Sequence, residues 1–372
     1  MKFAIITHVP HGLNETGFFA YAPYVREMNI WGEFVDEMIV VAPRGLSEQT
    51  AIHIGYSHKN IRLLEIPAMN FQSLKTIFGS FLHFPKTIFA IFKAMKMADH
   101  IHLRCPGNIG LLGCLVQILF PKKPKTAKYA GNWDPDAKQP LSYRLQKWIL
   151  NNTFLTKNMQ VLVYGEWAGS SKNIKPFFTA TYYEKDKIAI APKSLWGNIR
   201  FLFVGSLAVG KQPMYAVKLL EKISKSVHDA TLHLYGDGQE RKFLERYCAQ
   251  NKLSGKVIFH GNQTEAVVRK AYQDSHFIIL ASKSEGWPKV IAEAMFWGCY
   301  PLASAVSCVP FMLDNGHRGL LLEMDLDSDA LSVEKILQDQ SEYDKKVLRS
   351  MSWSREYTLD LFKNQIKALV HP

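Results

Sequence analysis

Cysteine is scarce in this sequence: five copies, Cys105, Cys114, Cys248, Cys299 and Cys308, an odd count with no C-x-x-C spacing. That pattern excludes a disulfide framework and a zinc knuckle, and it makes a reducing compartment the expectation. Long apolar runs are missing as well. The longest, residues 111–120, is about half the length of a bilayer-spanning helix, and the apolar region before it is broken by Lys75, Lys86, Lys93 and Lys96. The run at 3–7 is too short for a signal-peptide core and suits a buried first strand. No repeat of fixed period and no low-complexity tract occurs, which excludes a solenoid and a disordered chain.

What the chain has is an ordinary globular composition, 47% hydrophobic and 21% charged over 372 residues, a length that suits two domains better than one core. Short β-rich runs alternate with helical patterns, which predicts parallel α/β layers. In the first half, strands are expected at 3–7, 38–42, 62–66, 100–103, 126–130 and 160–164, with helices near 20–31, 86–97, 109–119 and 141–151. In the second half, strands at 200–204, 231–235, 256–259, 277–281 and 300–303 alternate with helices near 214–226, 239–250, 265–273 and 289–297. Two Rossmann-like units follow. The segment 189–198, with Pro192 and Gly197 and no periodicity, reads as the boundary, so the domains are expected at 1–190 and 191–351. Residues 352–371 read as one amphipathic helix that can pack back on the first domain.

Charge of one sign dominates. The net charge is +12; residues 1–190 hold 22 Lys and Arg against 13 Asp and Glu, and the remainder holds 23 against 20. Between residues 75 and 128, nine bases face a single acid, Asp99. Such a stripe predicts an anionic partner, or else a solvated basic face. None of the common DNA- or RNA-binding signatures is present, so nucleic acid is not the expected partner. The stretch 71–96 sets Lys75, Lys86, Lys93 and Lys96 among aromatics and is expected to be split by Pro85 into two short segments. It is the candidate for lying on an anionic membrane surface without inserting, the alternative being core aromatics under a rim of lysines.

The most informative stretch runs from Ser282 to Gly298, SKSEGWPKVIAEAMFWG. It follows an apolar strand, passes a glycine turn and enters a helix with Pro288 near its start. Free amides at a helix start can hold an anion such as a diphosphate. Glu285 falls in the turn and Glu293 on the helix, with seven residues between them. Ligands of open α/β sheets bind beyond the carboxyl ends of the strands, so a carboxylate in that turn can reach a ligand's reactive end. One on the helix can accept from two vicinal hydroxyls, as acids do for ribose. Taken alone, the pair is equally a helix-capping charge and a solvated face.

The stretch resembles the donor site of retaining GT-B glycosyltransferases, family 4 in particular. Members carry E-G-x-P-x-x-x-x-E-A, which stands here as Glu285, Gly286, Pro288, Glu293 and Ala294. Phe203-Val204-Gly205 followed by Lys211 resembles the family's phosphate-binding strand and loop. Leu234-Tyr235-Gly236-Asp237-Gly238 resembles its strand-end G-x-G, and Val257-Ile258-Phe259-His260-Gly261 the strand before its nucleobase pocket. The likeness spans residues 199–322, and the first half shares only the Rossmann layout. It implies an α/β GT-B fold, two Rossmann-like domains facing across a cleft. It also implies that Glu285 sits by the transferred sugar and that Gly286, Trp287, Pro288 and Lys289 meet the sugar or the phosphates. Glu293 would bind the ribose, Gly205 and Ser206 the phosphates. Lys211 would neutralise the diphosphate as the bond to the sugar breaks, which makes Glu285 and Lys211 the catalytic candidates.

Departures from the family fall at definite positions. Gly-Arg is replaced by Gly205-Ser206, removing one of two phosphate-binding cations, with Lys289 or Arg200 as substitutes. The paired-glycine loop after the first strand becomes His8 to Gly17, in which Gly12 and Gly17 are apart and Gly17 is the place for backbone approach to a phosphate. The strand end I-H-x-H-x-P reads Ile101-His102-Leu103-Arg104-Cys105-Pro106, so that Arg104, a fixed fork of donors, takes a histidine's slot. The Gly-Gly-x-Pro-Glu segment reads Ser307-Cys308-Val309-Pro310-Phe311, without its acid. On the acceptor side the candidates are Arg104, His11 and Trp133, the last for stacking on a sugar. Asp134-Pro135-Asp136 is a D-x-D, the metal signature of the other large glycosyltransferase fold, and Asp325, Asp327 and Asp329 form two more. Pro135 suits a plain loop, and no cluster has metal-ligand spacing, so neither a metal nor a cofactor is expected.

The implied activity is transfer of a hexose from a nucleotide-diphosphate sugar to a glycan or lipid-linked saccharide, with retention of anomeric configuration. The implied place is the cytoplasm, peripherally on the inner face of the plasma membrane. A GT-B nucleotide-sugar epimerase, and a non-catalytic sugar-nucleotide-binding scaffold of a polysaccharide assembly complex, are the alternatives.

Overall fold

The structure is a computed structural model that describes residues 1–50, 52–67 and 74–371, with the side chains of 74–83 left out. The chain divides into two compact units, Met1–Phe177 with Phe362–Pro372, and Phe178–Leu361.

The first unit contains β1 (Lys2–Ile6), β2 (His11–Asn14), β3 (Gly17–Tyr21), α1 (Ala22–Gly32), β4 (Glu37–Leu46), β5 (His53–Gly55) and β6 (Ile61–Ile66). It continues with α2 (Leu74–Met97), β7 (His100–Cys105), α3 (Asn108–Val116), β8 (Lys125–Tyr129), α4 (Leu141–Leu150), β9 (Met159–Tyr164) and β10 (Ile174–Phe177). Its sheet runs β10-β9-β8-β7-β1-β4-β2-β3-β5, with β6 also paired to β4. All pairs from β10 through β1 to β4 and β6 are parallel, with Ile5 between Val40 and His102. Phe3, Ala4, Ile5 and Ile6 are fully buried, as expected of a strand covered on both faces.

Three expectations change here. The run His8 to Gly17 is no glycine loop, because residues 11–21 form the antiparallel hairpin of β2 and β3. Asn14 pairs with Gly17, whose φ of +123° lets the chain reverse over two residues, so Gly17 is a turn residue. Gly12 is bare because a Cβ there would lie 2.2 Å from the Phe19 ring. The helix expected from residue 20 starts at Ala22, since β3 claims the residues before it. Finally, α2 is one helix through Pro85 rather than two segments. Ile91, Ala94 and Met95 are fully buried and hold its second half, and Pro85 forfeits only one hydrogen bond. Of the membrane-surface stretch, residues 71–73 and the side chain of Lys75 lie outside the described residues.

The second unit contains β11 (Ile199–Val204), α5 (Pro213–Ile223), β12 (Ala230–Tyr235), α6 (Arg241–Gln250), β13 (Val257–Gly261), α7 (Glu265–Asp274), β14 (Phe277–Leu280) and α8 (Lys289–Phe296). It ends with β15 (Tyr300–Ser304), α9 (Val309–Met312), β16 (Leu320–Leu322), α10 (Leu326–Leu337), α11 (Gln340–Glu356) and α12 (Leu359–Val370), which passes the unit boundary at Phe362. Its sheet, β13-β12-β11-β14-β15-β16, is parallel throughout. Phe201, Phe203, Leu232, Phe277, Tyr300 and Leu302 fill its core.

The unit boundary lies earlier than residue 190, at Phe177. Residues after it pack on the second unit: the Tyr182 ring lies 4.8 Å from Phe296 and 5.2 Å from Trp297, and Lys193 donates to the Gly298 carbonyl. The helix expected at 352–371 is two helices. The Thr358 hydroxyl accepts from the Leu361 amide and starts α12 afresh. From Phe362, whose ring is 5.4 Å from Phe177, the chain packs with the first unit.

Candidate active site

Because every strand of the second sheet is parallel, all their carboxyl ends share one edge. From β11 the chain moves outward to β12 and β13, then returns to place β14 on the other side of β11 and continues to β15 and β16. The topological switch therefore falls between β11 and β14, where loops leave in opposite directions and open a crevice. The two loops that meet there carry the residues singled out by sequence.

After β11, Gly205 adopts φ +148°, and Lys211 ends a one-turn 3-10 helix, Val209–Lys211. After β14, Glu285 lies in the turn before α8. The Lys211 ammonium donates to Glu285 Oε1 at 2.5 Å, with the glutamate 8% exposed and the lysine 33%. The loops are also tied through the backbone, the Lys283 amide donating to the Gly210 carbonyl at 2.9 Å. Gly205 is fixed from its other side. Its amide donates to the Tyr235 carbonyl at 2.9 Å, and a Cβ at Gly236 would lie 1.9 Å from the Gly205 carbonyl oxygen. A Cβ at Gly205 itself meets no described atom within 4 Å, so that backbone is open to an approaching group. Ser206 is exposed beside it.

The glutamate turn is held from beneath by residues that the sequence reading did not assign. The Ser304 hydroxyl donates to the Ser282 carbonyl at 2.7 Å, and the Cys308 thiol to the Gly286 carbonyl at 3.0 Å. Ser307, where the family has glycine, takes φ +54°, the left-handed region that glycine favours. That substitution was the available signal for a supporting turn. Pro288 is the residue before α8 and Lys289 its first, so the first amides of α8 face this edge. Trp287 does not face it. Its ring is buried against Tyr357 at 5.6 Å, Trp353 at 6.1 Å and Phe178 at 6.5 Å, in the core instead of at a ligand.

Glu293 lies one turn into α8, and both its oxygens have partners. Oε1 accepts from the Thr181 hydroxyl at 2.7 Å and Oε2 from Tyr272 at 2.9 Å. Burial, reinforced by Glu293, pushes the Tyr272 phenol well above its usual range, so it stays a donor. A carboxylate offers about four lone-pair sites, which leaves two for another donor pair. Arg200 is ruled out as the missing phosphate cation. It stands at the amino end of β11, about 15 Å from Gly205 at the strand's rise per residue, and faces Asp274.

The three acceptor-side candidates are internal to the first unit. His11 is buried between the Val9 carbonyl and the Tyr56 hydroxyl, and burial pulls its pKa to about 4, so it is neutral. Arg104 is paired with Glu27 at 2.6 Å and lies over the Tyr24 ring. Trp133 is in the core, edge-on to Tyr129 at 5.0 Å. The basic stripe is likewise not all surface: Lys125 and Lys128 are buried, and Lys123 caps α2 through the carbonyls of Met95, Lys96 and Ala98. Asp134 accepts from the Asp136 amide in a local turn. Asp325 caps α10, and Asp329 is buried, holding the amides of Glu323 and Met324. Among the described residues, no group of three or more His, Cys, Asp or Glu side chains is arranged to hold a metal, and no helix is long and apolar enough to cross a membrane.

Residues 186–349 match the family described as glycosyl transferases group 1. An uncharacterized glycosyltransferase of Methanocaldococcus jannaschii is 28% identical over 172 residues, 44% of each chain. The lipopolysaccharide 1,6-galactosyltransferase of Escherichia coli is 27% identical over 141 residues, 36% of this chain and 38% of its own. The chain thus matches less than half the length of these relatives. Among solved structures, Anabaena HepE in complex with UDP superposes over 100% of both chains with a TM-score of 0.70 at 14% identity. The matched segment spans the whole parallel sheet that carries the Lys211 and Glu285 loops, so residues 186–349 resemble the group 1 glycosyl transferases, and the likeness to the solved structures over both units gives the chain the GT-B fold.

Proposed function

We propose that the chain transfers a hexose from a nucleotide-diphosphate sugar to a glycan or lipid-linked saccharide, retaining the donor's anomeric configuration and using no metal. The observation that carries this is the meeting of Lys211 and Glu285, 74 residues apart in sequence, at the switch point of the second sheet. An ammonium and a carboxylate side by side suit the two ends of the bond to be broken. Lys211 exchanges its carboxylate partner for diphosphate oxygens and offsets the charge that grows on the leaving phosphate. Glu285 stays with the sugar. The open backbone at Gly205 and the first amides of α8 take the remaining phosphate oxygens, which replaces the arginine that Ser206 lacks. Glu293 uses its two remaining acceptor sites for the ribose hydroxyls.

The galactosyltransferase relative supports a glycan acceptor, and the Anabaena structures with UDP and with UDP-glucose make UDP-hexoses the first donors to try. We place the protein on the cytoplasmic membrane surface, peripherally, through the exposed lysines of the basic stripe. The test is incubation with a panel of nucleotide sugars, with and without extracted lipid-linked saccharides, in the presence of EDTA. Acceptor-dependent release of nucleoside diphosphate, with the product anomer matching the donor by NMR, is the expected result. Epimerised sugar formed without acceptor identifies an epimerase, and binding without any product a scaffold.

A further inference from the structure

Beyond the carboxyl ends of β8 and β9, the first unit has a pocket of about 290 Å³. Arg144, Lys147 and Trp148 on α4, with Asn151 just past its end, line it at the three- and four-residue spacing of one helical face. The loops after β8 and β9 supply Trp133 and Trp167. The Trp167 indole is locked by donating to the Tyr164 carbonyl at 2.7 Å, and that of Trp133 by its edge contact with Tyr129. Trp148 is the opposite case: its side chain is 61% exposed, a large planar face kept in water on an otherwise amphipathic helix. Lys147 stands 5.8 Å from the Trp133 ring centre and donates to the Asp134 backbone carbonyl at 2.7 Å. No carboxylate is among the described residues that line the pocket, although Asp134 lies close behind Lys147.

We propose that this pocket binds a saccharide carrying a negative charge. The C–H face of a sugar ring packs on the flat indoles of Trp148 and Trp167, the amphipathic surface such rings provide. The anionic group lies against Arg144 and Lys147; the arginine fork takes a carboxylate or phosphate through two bonds, and the ammonium, held by the Asp134 carbonyl, adds its charge. Trp133, expected to stack on acceptor from its place after β8, forms the buried floor. In a glycosyltransferase this ligand is the acceptor, so its role rests on the reading above, whereas its binding does not. The charge can come from a uronic acid or from a phosphorylated sugar.

The test is titration of the full chain, followed by ligand-observed NMR, with tri-galacturonate, mannose 6-phosphate, neutral maltotriose and UMP. Expected is binding of at least one acidic saccharide, about tenfold tighter than maltotriose, and weakened about five- to tenfold by Trp148→Ala and by Arg144→Gln. Both side chains are exposed, and unchanged thermal melting of the variants shows that the fold persists. UDP is titrated alongside and is expected to bind wild type and both variants alike. Saccharide binding without UDP binding contradicts the donor assignment and leaves this one standing. The proposal is overturned if neither acidic saccharide binds, if maltotriose binds as tightly, if both variants bind like wild type, or if UMP displaces the saccharide.

Discussion

Replacing Glu27 by glutamine should destabilise the first unit severely, although the two side chains have nearly the same volume. One carboxylate there serves two cations: Oε1 is 2.6 Å from Arg104 and Oε2 3.1 Å from Lys128. Lys128 is 0% exposed, and its ammonium lies 5.0–5.5 Å from the ring centres of Tyr164, Phe177 and Phe362. Glutamine keeps a carbonyl acceptor but removes the negative charge that the two buried cations share. Removing one partner of a buried pair costs about 3–5 kcal/mol. The titration of Glu27 gives a second route to the magnitude. Burial alone raises its carboxyl pKa, but Arg104 and Lys128 together override burial and hold it at about 2, against an ordinary 4.5. Since the folded value is the lower one, the contribution is complete above the unfolded value and is lost as pH falls toward the folded one. The gap corresponds to roughly 3 kcal/mol, in line with the first figure. Urea unfolding at neutral pH should show the variant's midpoint lower by about 1–2 M. In a pH series, wild type should lose stability below the ordinary carboxylate range where the variant stays comparatively flat. Adding Arg104→Met to the variant should recover part of the loss, because one uncompensated cation goes with it. A loss below about 1 kcal/mol at neutral pH, or equal acid slopes for both proteins, refutes the idea that this carboxylate neutralises a buried cationic pair.

Glu293→Ala should weaken UDP binding about ten- to a hundredfold, the loss of roughly 1.5–3 kcal/mol from hydrogen bonds to a charged acceptor, and an unchanged dissociation constant removes it from the ribose site. Wild type should co-sediment with anionic but not neutral vesicles, less so with added salt, and changing Lys75, Lys86, Lys93 and Lys96 to Gln should abolish it. Protein left in the supernatant with anionic lipid at low salt assigns the basic stripe to another partner. A chelator should leave turnover unaltered; abolition by EDTA and rescue by manganese would move the chemistry to Asp134 and Asp136.

The second unit was the more legible half. Its central strands are buried on both faces and show as unbroken apolar runs, so β11 and β12 begin and end within one residue of expectation. β16 escaped because three leucines make no pattern, and β2, β3 and β5 because they are short, partly polar and carry glycine. The Lys211 and Glu285 positions came from family resemblance. Periodicity cannot pair residues that only the adjacency of β14 and β11 brings together. The hydroxyls on Glu293 come from Thr181, in an irregular segment, and from Tyr272, which reads as an ordinary core tyrosine. Arg104 and Lys128 misled in the opposite sense. Bases inside apolar strands were counted as part of a surface stripe, yet a single acid on α1, 77 residues from Arg104, lets both be buried.

The most direct test of donor chemistry at the β11–β14 switch is steady-state turnover and donor titration on Glu285→Gln beside wild type, with the nucleotide sugar that supports product formation. Turnover should fall about a hundredfold or more, as for loss of a preorganised transition-state group, while the donor dissociation constant changes by less than about fivefold. A large rise in that constant with turnover unchanged contradicts the assignment, placing Glu285 at the nucleotide and the reacting bond elsewhere.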